Sequence, residues 1–185
     1  MTAMLTAACA SGSRSSKAMT ADNILCRGCG LVLPDLKLDS PKGFNASGEC
    51  YQQFNELSFY TLSLGYEEFI HQMAVDAYEA QHAGQGTKNI TGTFGLIGLY
   101  LSFEKGYNGR QVQRAHMMLA NARKDWPCFD PAGKHWPLTV MDVLKSPEGE
   151  NRDRMLRSWA HAVWDGWRDQ HQAVAELVED YLRFS

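Results

Sequence analysis

Downstream of residue 47, apolar residues recur at helical spacing along most of the chain, and this periodicity sets the expected elements. Cys50, Phe54, Leu57, Thr61 and Leu64 fall three and four apart behind Ser47, a good N-cap, and the pattern stops at Gly65. They predict a first helix. Ile70, Met73, Ala74, Ala77, Tyr78 and Gln81 repeat the behaviour over 66–83, and the HAGQG segment ends it. With only Gly65 between them, the two helices are expected to form a tight antiparallel hairpin. Residues 91–105 (TGTFGLIGLYLSFEK) are strongly apolar, with Thr91, Gly95, Gly98 and Ser102 placing small side chains on one stripe. A glycine costs about 1 kcal/mol relative to alanine inside a helix, so a helix here needs a closely packed neighbour to compensate. Further helices are expected over 108–124, after a cap at Thr139, and over 152–182 with a kink or break at Gly166.

The first 46 residues read differently. Residues 1–22 are small and polar without periodicity and would bury too little to offset the entropy of ordering, so they are expected to be a disordered tail. Thr6-Ala7-Ala8-Cys9 has the look of a lipoprotein cleavage site, but no basic residue precedes it and its apolar stretch is too short for a signal segment. Residues 23–46 carry CRGCG and then a run in which Pro34, Pro41 and Gly43 oppose a helix, which predicts a knuckle and a loop with at most short strands. The expected fold is all-α: a helical bundle forming one domain over 23–185, with an irregular N-terminal Cys-x2-Cys zinc knuckle docked on a helical hairpin.

At 185 residues and 44% hydrophobic, the chain can bury a core without disulfide staples. Eighteen basic against twenty-one acidic residues give no bulk attraction for a polyanion, so extended nucleic-acid binding is not expected. No apolar run approaches the ~18 residues that span a bilayer. A soluble, cytoplasmic protein is the expectation.

The chemistry concentrates in Cys26-Arg27-Gly28-Cys29-Gly30, because Cys-x2-Cys followed by glycine lets two thiolates turn toward one tetrahedral ion. A dithiol redox pair competes with this reading, although a thioredoxin-like motif should open a helix after a strand, and here glycine and proline follow. Two ordinary buried cysteines are the third alternative. Zinc needs two more ligands. In a hairpin folded near residue 66, Cys50 and His82 lie about equally far from the fold on its two arms, so they face each other at the end where the knuckle can dock. His71 precedes His82 by eleven residues, roughly 16 Å along a helix, and cannot share the ion. The expected cage is Cys26, Cys29, Cys50 and His82, a Cys3His set typical of closed structural zinc.

An open coordination position would instead permit hydrolysis, with Asp76 or Glu79 as general base and His71 as a further candidate for a catalytic role. His71 and Asp76 could also pair in a second pocket. Two Glu-x-x-His motifs, ending at His71 and His82, fall on one predicted helix, whereas a di-iron bundle needs them on facing helices. No phosphate loop, nucleophile elbow or HExxH is present. Trp159, Val163 and Trp167 share a helical stripe and read as core, with an exposed aromatic patch as the alternative; His161 and His171 read as surface residues.

CRGCGLVLPD, SGECYQQF, HQMAVDAYEAQH, WPLTVMDVL and the Trp-rich last helix together resemble an uncharacterised bacterial family of unknown function, over roughly residues 24–182. The resemblance marks Cys26, Cys29, Gly30, Cys50, His71, Val75, Asp76, Ala77, Tyr78, Gln81 and His82, and implies the bundle and the site without a reaction. The family places proline-glycine just after the histidine; this chain has Ala83-Gly84. The expected role is a zinc-binding or regulatory module, with a small metal-dependent hydrolase or a thiol redox module as the alternatives. An unknown protein partner is compatible with this reading, and the glycine-striped helix would suit a homodimer as well as an internal core.

Overall fold

The computed structural model describes residues 22–122, 125–131 and 133–182; nearly all of the expected N-terminal tail lies outside them. Two three-residue strands, β1 (Asn23–Leu25) and β2 (Val32–Pro34), pair antiparallel with Leu25 opposite Val32, and the turn between them carries Cys26 and Cys29. Among the described residues, everything after this small hairpin is helical or connecting loop.

Helix α1 (Gly48–Ser63) starts as its sequence predicts: the Ser47 side chain accepts the Cys50 amide at 3.2 Å. Its inner face buries Cys50, Phe54, Leu57, Tyr60 and Thr61. The second helix departs from expectation. Helix α2 spans His71–Gln81, and residues 64–70 form a turn in which Phe69 N–H donates to the Tyr66 carbonyl at 3.1 Å and Phe69 takes φ 55°. Tyr66, Glu67 and Glu68 are exposed, so these three positions bury no side chain that a helical turn would present to the core, and the connection is longer than the single Gly65.

Helix α3 (Asn89–Phe103) lies along α2, and its glycines supply the close approach that offsets their cost. A Cβ at Gly95 would stand 2.6 Å from the Ala80 amide nitrogen, and one at Gly98 would collide with the Asp76 carboxylate. The glycine face is therefore internal, covered by α2. Helix α4 (Gly109–Ala122) packs on α2 and α3; the last two residues of the expected 108–124 helix lie outside the described residues.

Helix α5 (Val140–Lys145) begins with Thr139, whose amide donates to the Asp142 carboxylate at 2.8 Å. The long C-terminal pattern resolves into α6 (Glu150–Gly166) and α7 (His171–Leu182), joined by a short 3-10 turn at 168–170. The break falls at Gly166, where a Cβ would stand 2.6 Å from the Trp136 ring.

All five tryptophans are buried, which removes the aromatic-patch alternative. Trp159 donates to Gln81 Oε1 at 3.1 Å, Trp167 to the Ala80 carbonyl at 3.2 Å, and Trp164 to Glu104 at 2.9 Å. His171 is not a free surface residue: its ring stacks on Trp164 at 3.6 Å and Nε2 meets the Trp164 carbonyl at 3.0 Å. His161 is exposed beside Asp165. Among the described residues, no helix is long and apolar enough to cross a membrane.

Candidate metal centre

Three pieces of chain converge at one end of the bundle. The knuckle is a tight turn in which Cys26 N–H donates to the Leu31 carbonyl at 2.8 Å and Gly30 N–H to the Cys26 carbonyl at 2.9 Å, so both cysteine side chains point to the same side. Cys50 enters from the first turn of α1. His82 is the residue that ends α2. All four are buried, and their ligand atoms lie within 4.8 Å of one another.

Three of the six separations have the lengths of tetrahedral edges, and all six lie within 4.8 Å. Zinc bonded to sulfur at about 2.3 Å and to imidazole nitrogen at about 2.0 Å, with tetrahedral angles, requires edges of about 3.8 Å between sulfurs and about 3.5 Å from sulfur to nitrogen. The Cys29 and Cys50 sulfurs are 3.7 Å apart, and His82 Nε2 is 3.5 Å from the Cys26 sulfur and 3.4 Å from that of Cys50. Cys50 and His82 face each other as the hairpin spacing predicts, although the connection is longer than a single residue, because lengthening the turn leaves the far ends of the two helices opposed.

The surroundings orient the ligands. His82 Nδ1 lies 2.8 Å from the Tyr78 carbonyl, which can only accept, so Nδ1 carries a proton and Nε2 is the ring atom that faces the sulfurs. Tyr78 is sandwiched between Phe54 and the His82 ring, each at 4.0 Å, and its hydroxyl reaches the Cys50 sulfur at 3.8 Å. Gly28 leaves room for the imidazole: a Cβ there would stand 2.5 Å from His82 Cδ2 and would collide with the Asn45 carbonyl. Trp136 donates its indole N–H to the Gly28 carbonyl at 3.0 Å, tying the knuckle to the loop before α5. Glu49 accepts the Leu36 and Leu38 amides at 3.2 and 3.1 Å and holds the following loop on the start of α1. Neither Trp136 nor Glu49 carries a signal for these roles in the sequence, since each acts through a backbone group remote in the chain.

Close packing of these groups moves the proton affinities of Cys26, Cys50 and His82. Hydrogen bonds from Cys29 and Cys50 hold the Cys26 thiol far below its ordinary value, while Cys50, bonded to the Cys26 and Cys29 sulfurs and buried, is pushed far above it. Burial alone would lower His82; its contacts with Cys26 and Cys29 reverse this and raise it to about 9. A thiolate at Cys26 is thus paired with a positively charged His82, and a cation binding between them would displace the protons held by Cys50 and His82.

The other candidates lie elsewhere. His71 Nδ1 meets the Thr61 hydroxyl at 2.8 Å at the opposite end of α2. Asp76 faces α3, with Oδ1 accepting from Gln72 at 2.9 Å and Oδ2 unbonded against Gly98. The expected His71–Asp76 pair is therefore absent, each group having taken another partner. Glu79 sits beside Gly95 of α3. Among the described residues, no carboxylate joins the four-residue cluster. Cys128 is exposed and apart from it; Cys9 lies outside the described residues.

No match was found among curated proteins or among solved structures. A family model does match, over residues 24–168, a span containing the knuckle, Cys50, His82 and the helices through α6. The chain belongs to the family of unknown function DUF5946.

Proposed function

We propose that Cys26, Cys29, Cys50 and His82 hold one zinc ion in a closed tetrahedral site, and that the ion clips the N-terminal knuckle onto α1 and α2 in a protein serving as a binding or regulatory module. The observation that carries this reading is the convergence of four buried ligand atoms from three chain segments at tetrahedral spacing. Three thiolates and one imidazole suit zinc over harder cations, which prefer oxygen. Four protein ligands leave no coordination position for water, and Asp76, Glu79 and His71 are not placed to act as a general base there. The structural reading is therefore favoured over the hydrolytic one.

Elemental analysis of the purified protein, beside Cys50→Ala and His82→Ala, tests the proposal. One zinc per chain, lost or weakened in both variants, is expected. Protein free of metal that instead forms a reversible Cys26–Cys29 disulfide would overturn it in favour of a redox module. Full stoichiometry retained in His82→Ala would mean a differently built site and would direct attention to hydrolysis. Because each ligand must lose its proton to bind, affinity should fall as pH is lowered, and a competing zinc indicator titrated between about pH 8 and pH 5 measures that loss.

A further inference from the structure

Two exposed surfaces of this molecule, α1 with the turn after it and the outer side of α4, are opposite in charge. From residue 43 to residue 87 the sequence contains six carboxylates and no lysine or arginine. From 105 to 124 it contains no carboxylate and five basic residues, of which Arg110 and Arg114 lie on α4, Lys105 pairs with Glu179, and the last two fall outside the described residues. In the first segment Asp76 and Glu49 are buried, but Glu56, Glu67 and Glu68 are exposed. Along the chain they flank the most exposed large apolar group of the bundle, Phe59 at 79%, with Leu62 and Tyr66 one and two turns further on. In the second, Arg110, Arg114, Met117 and Met118 form one exposed stripe along α4, the two methionines at 64% and 49%. Among the described residues, no ion pair engages Glu56, Glu67, Glu68 or Arg114.

The two surfaces meet where the turn after α1 docks on the start of α4. The first amide of α4, at Gly109, donates to the Glu68 carbonyl at 2.7 Å, and the Arg110 guanidinium lies 3.9 Å over the Phe69 ring in the turn that follows α1. We propose that the protein self-associates through these surfaces, the acidic-apolar surface of α1 and the turn after it in one copy lying on the basic-methionine face of α4 in a second. Adjacent complementary faces allow the contact to close as a two-fold pair, in which each copy contributes both faces. Apolar anchors supply the buried area, and the charges set register and partner. The proposal is independent of the metal reading, since neither face includes a ligand.

The test is the mass in solution, by size-exclusion chromatography with light scattering at about 100 µM protein, where a micromolar complex is largely formed. Wild type is expected at twice the chain mass at about 0.05 M salt, shifting toward one chain mass near 1 M, where charges are screened within about 3 Å. Glu56→Arg and Arg114→Glu each sit at exposed positions, and their retained helical circular dichroism would show that the fold is intact. Alone, each should weaken association by about tenfold or more. Mixed in equal amounts they should restore it, because the reversed charge at position 56 of one variant then meets the reversed charge at position 114 of the other, and the remaining contact keeps its native pair. A monomeric wild type, a dimer indifferent to both substitutions, or a mixture no better than its components would each overturn the proposal; the first would assign the faces to other partners.

Discussion

Asp76 is a carboxyl group enclosed between two helices, with a donor on one oxygen and the bare backbone of Gly98 against the other. Burial raises its affinity for a proton well above the ordinary carboxylate value, with the neighbouring Glu79 charge adding to the effect; burial likewise raises Glu79 to about 8. Both groups hold protons more tightly folded than unfolded. Their contribution is complete below the unfolded carboxylate range and is lost as pH rises through the folded values. Stability should therefore decline on the alkaline side, and Asp76→Asn, which keeps the Gln72 contact without the ionisable proton, should flatten that decline. Urea midpoints near pH 6 and pH 9 measure it; an unchanged slope in the variant would assign the decline elsewhere. Gly98→Ala forces a methyl group into the same carboxyl and should cost about 1–3 kcal/mol, the range for overpacked cores, read in the same titration.

At the scale of elements, most helices were legible because their apolar spacing and their caps agree. Replacing Ser47 by alanine removes the acceptor for the Cys50 amide and should cost about 1 kcal/mol by chemical denaturation. It should also loosen a ligand, because the capped turn is the one that presents Cys50. The start of α2 was not legible. Residues 66–70 contain an apolar position that continues the helical count, Ile70, and nothing in the local sequence forbids a helix; what decides against one is the exposure of Glu67 and Glu68 and the docking of Gly109 on the turn, both tertiary facts. The glycine stripe of α3 was legible as a demand for a close neighbour, but not which neighbour, since that required knowing that α2 presents Ala80 and the Asp76 backbone to it. The four candidate ligands were legible from one knuckle and the spacing of one hairpin. The atoms that aim them, the Tyr78 carbonyl and the Trp136 indole, were not, because backbone acceptors and long-range donors leave no spacing pattern.

For the molecule as a whole, a zinc clip would join residues 26 and 29 to residues 50 and 82 and so fasten the small strand-bearing hairpin to the bundle. Removing it should leave the α2–α3–α6 core folded, since that core also rests on many buried apolar groups that do not touch the cage, such as Leu96, Leu99, Leu101, Leu156 and Val163. Chelation is expected to lower the melting temperature by on the order of 10 °C without abolishing helical circular dichroism. Complete unfolding on chelation would instead make the ion a condition of folding, as in small zinc modules.

The Trp136–Gly28 hydrogen bond gives the molecule an optical reporter of its own. The indole is only 9% exposed and its N–H is held by the carbonyl between the two knuckle cysteines. Any event that lifts the knuckle from the helices should release that N–H to water and shift tryptophan emission to longer wavelength. Trp136→Phe should remove most of the shift and leave the emission of the other four indoles, allowing the state of the cysteine turn to be followed in real time without a label.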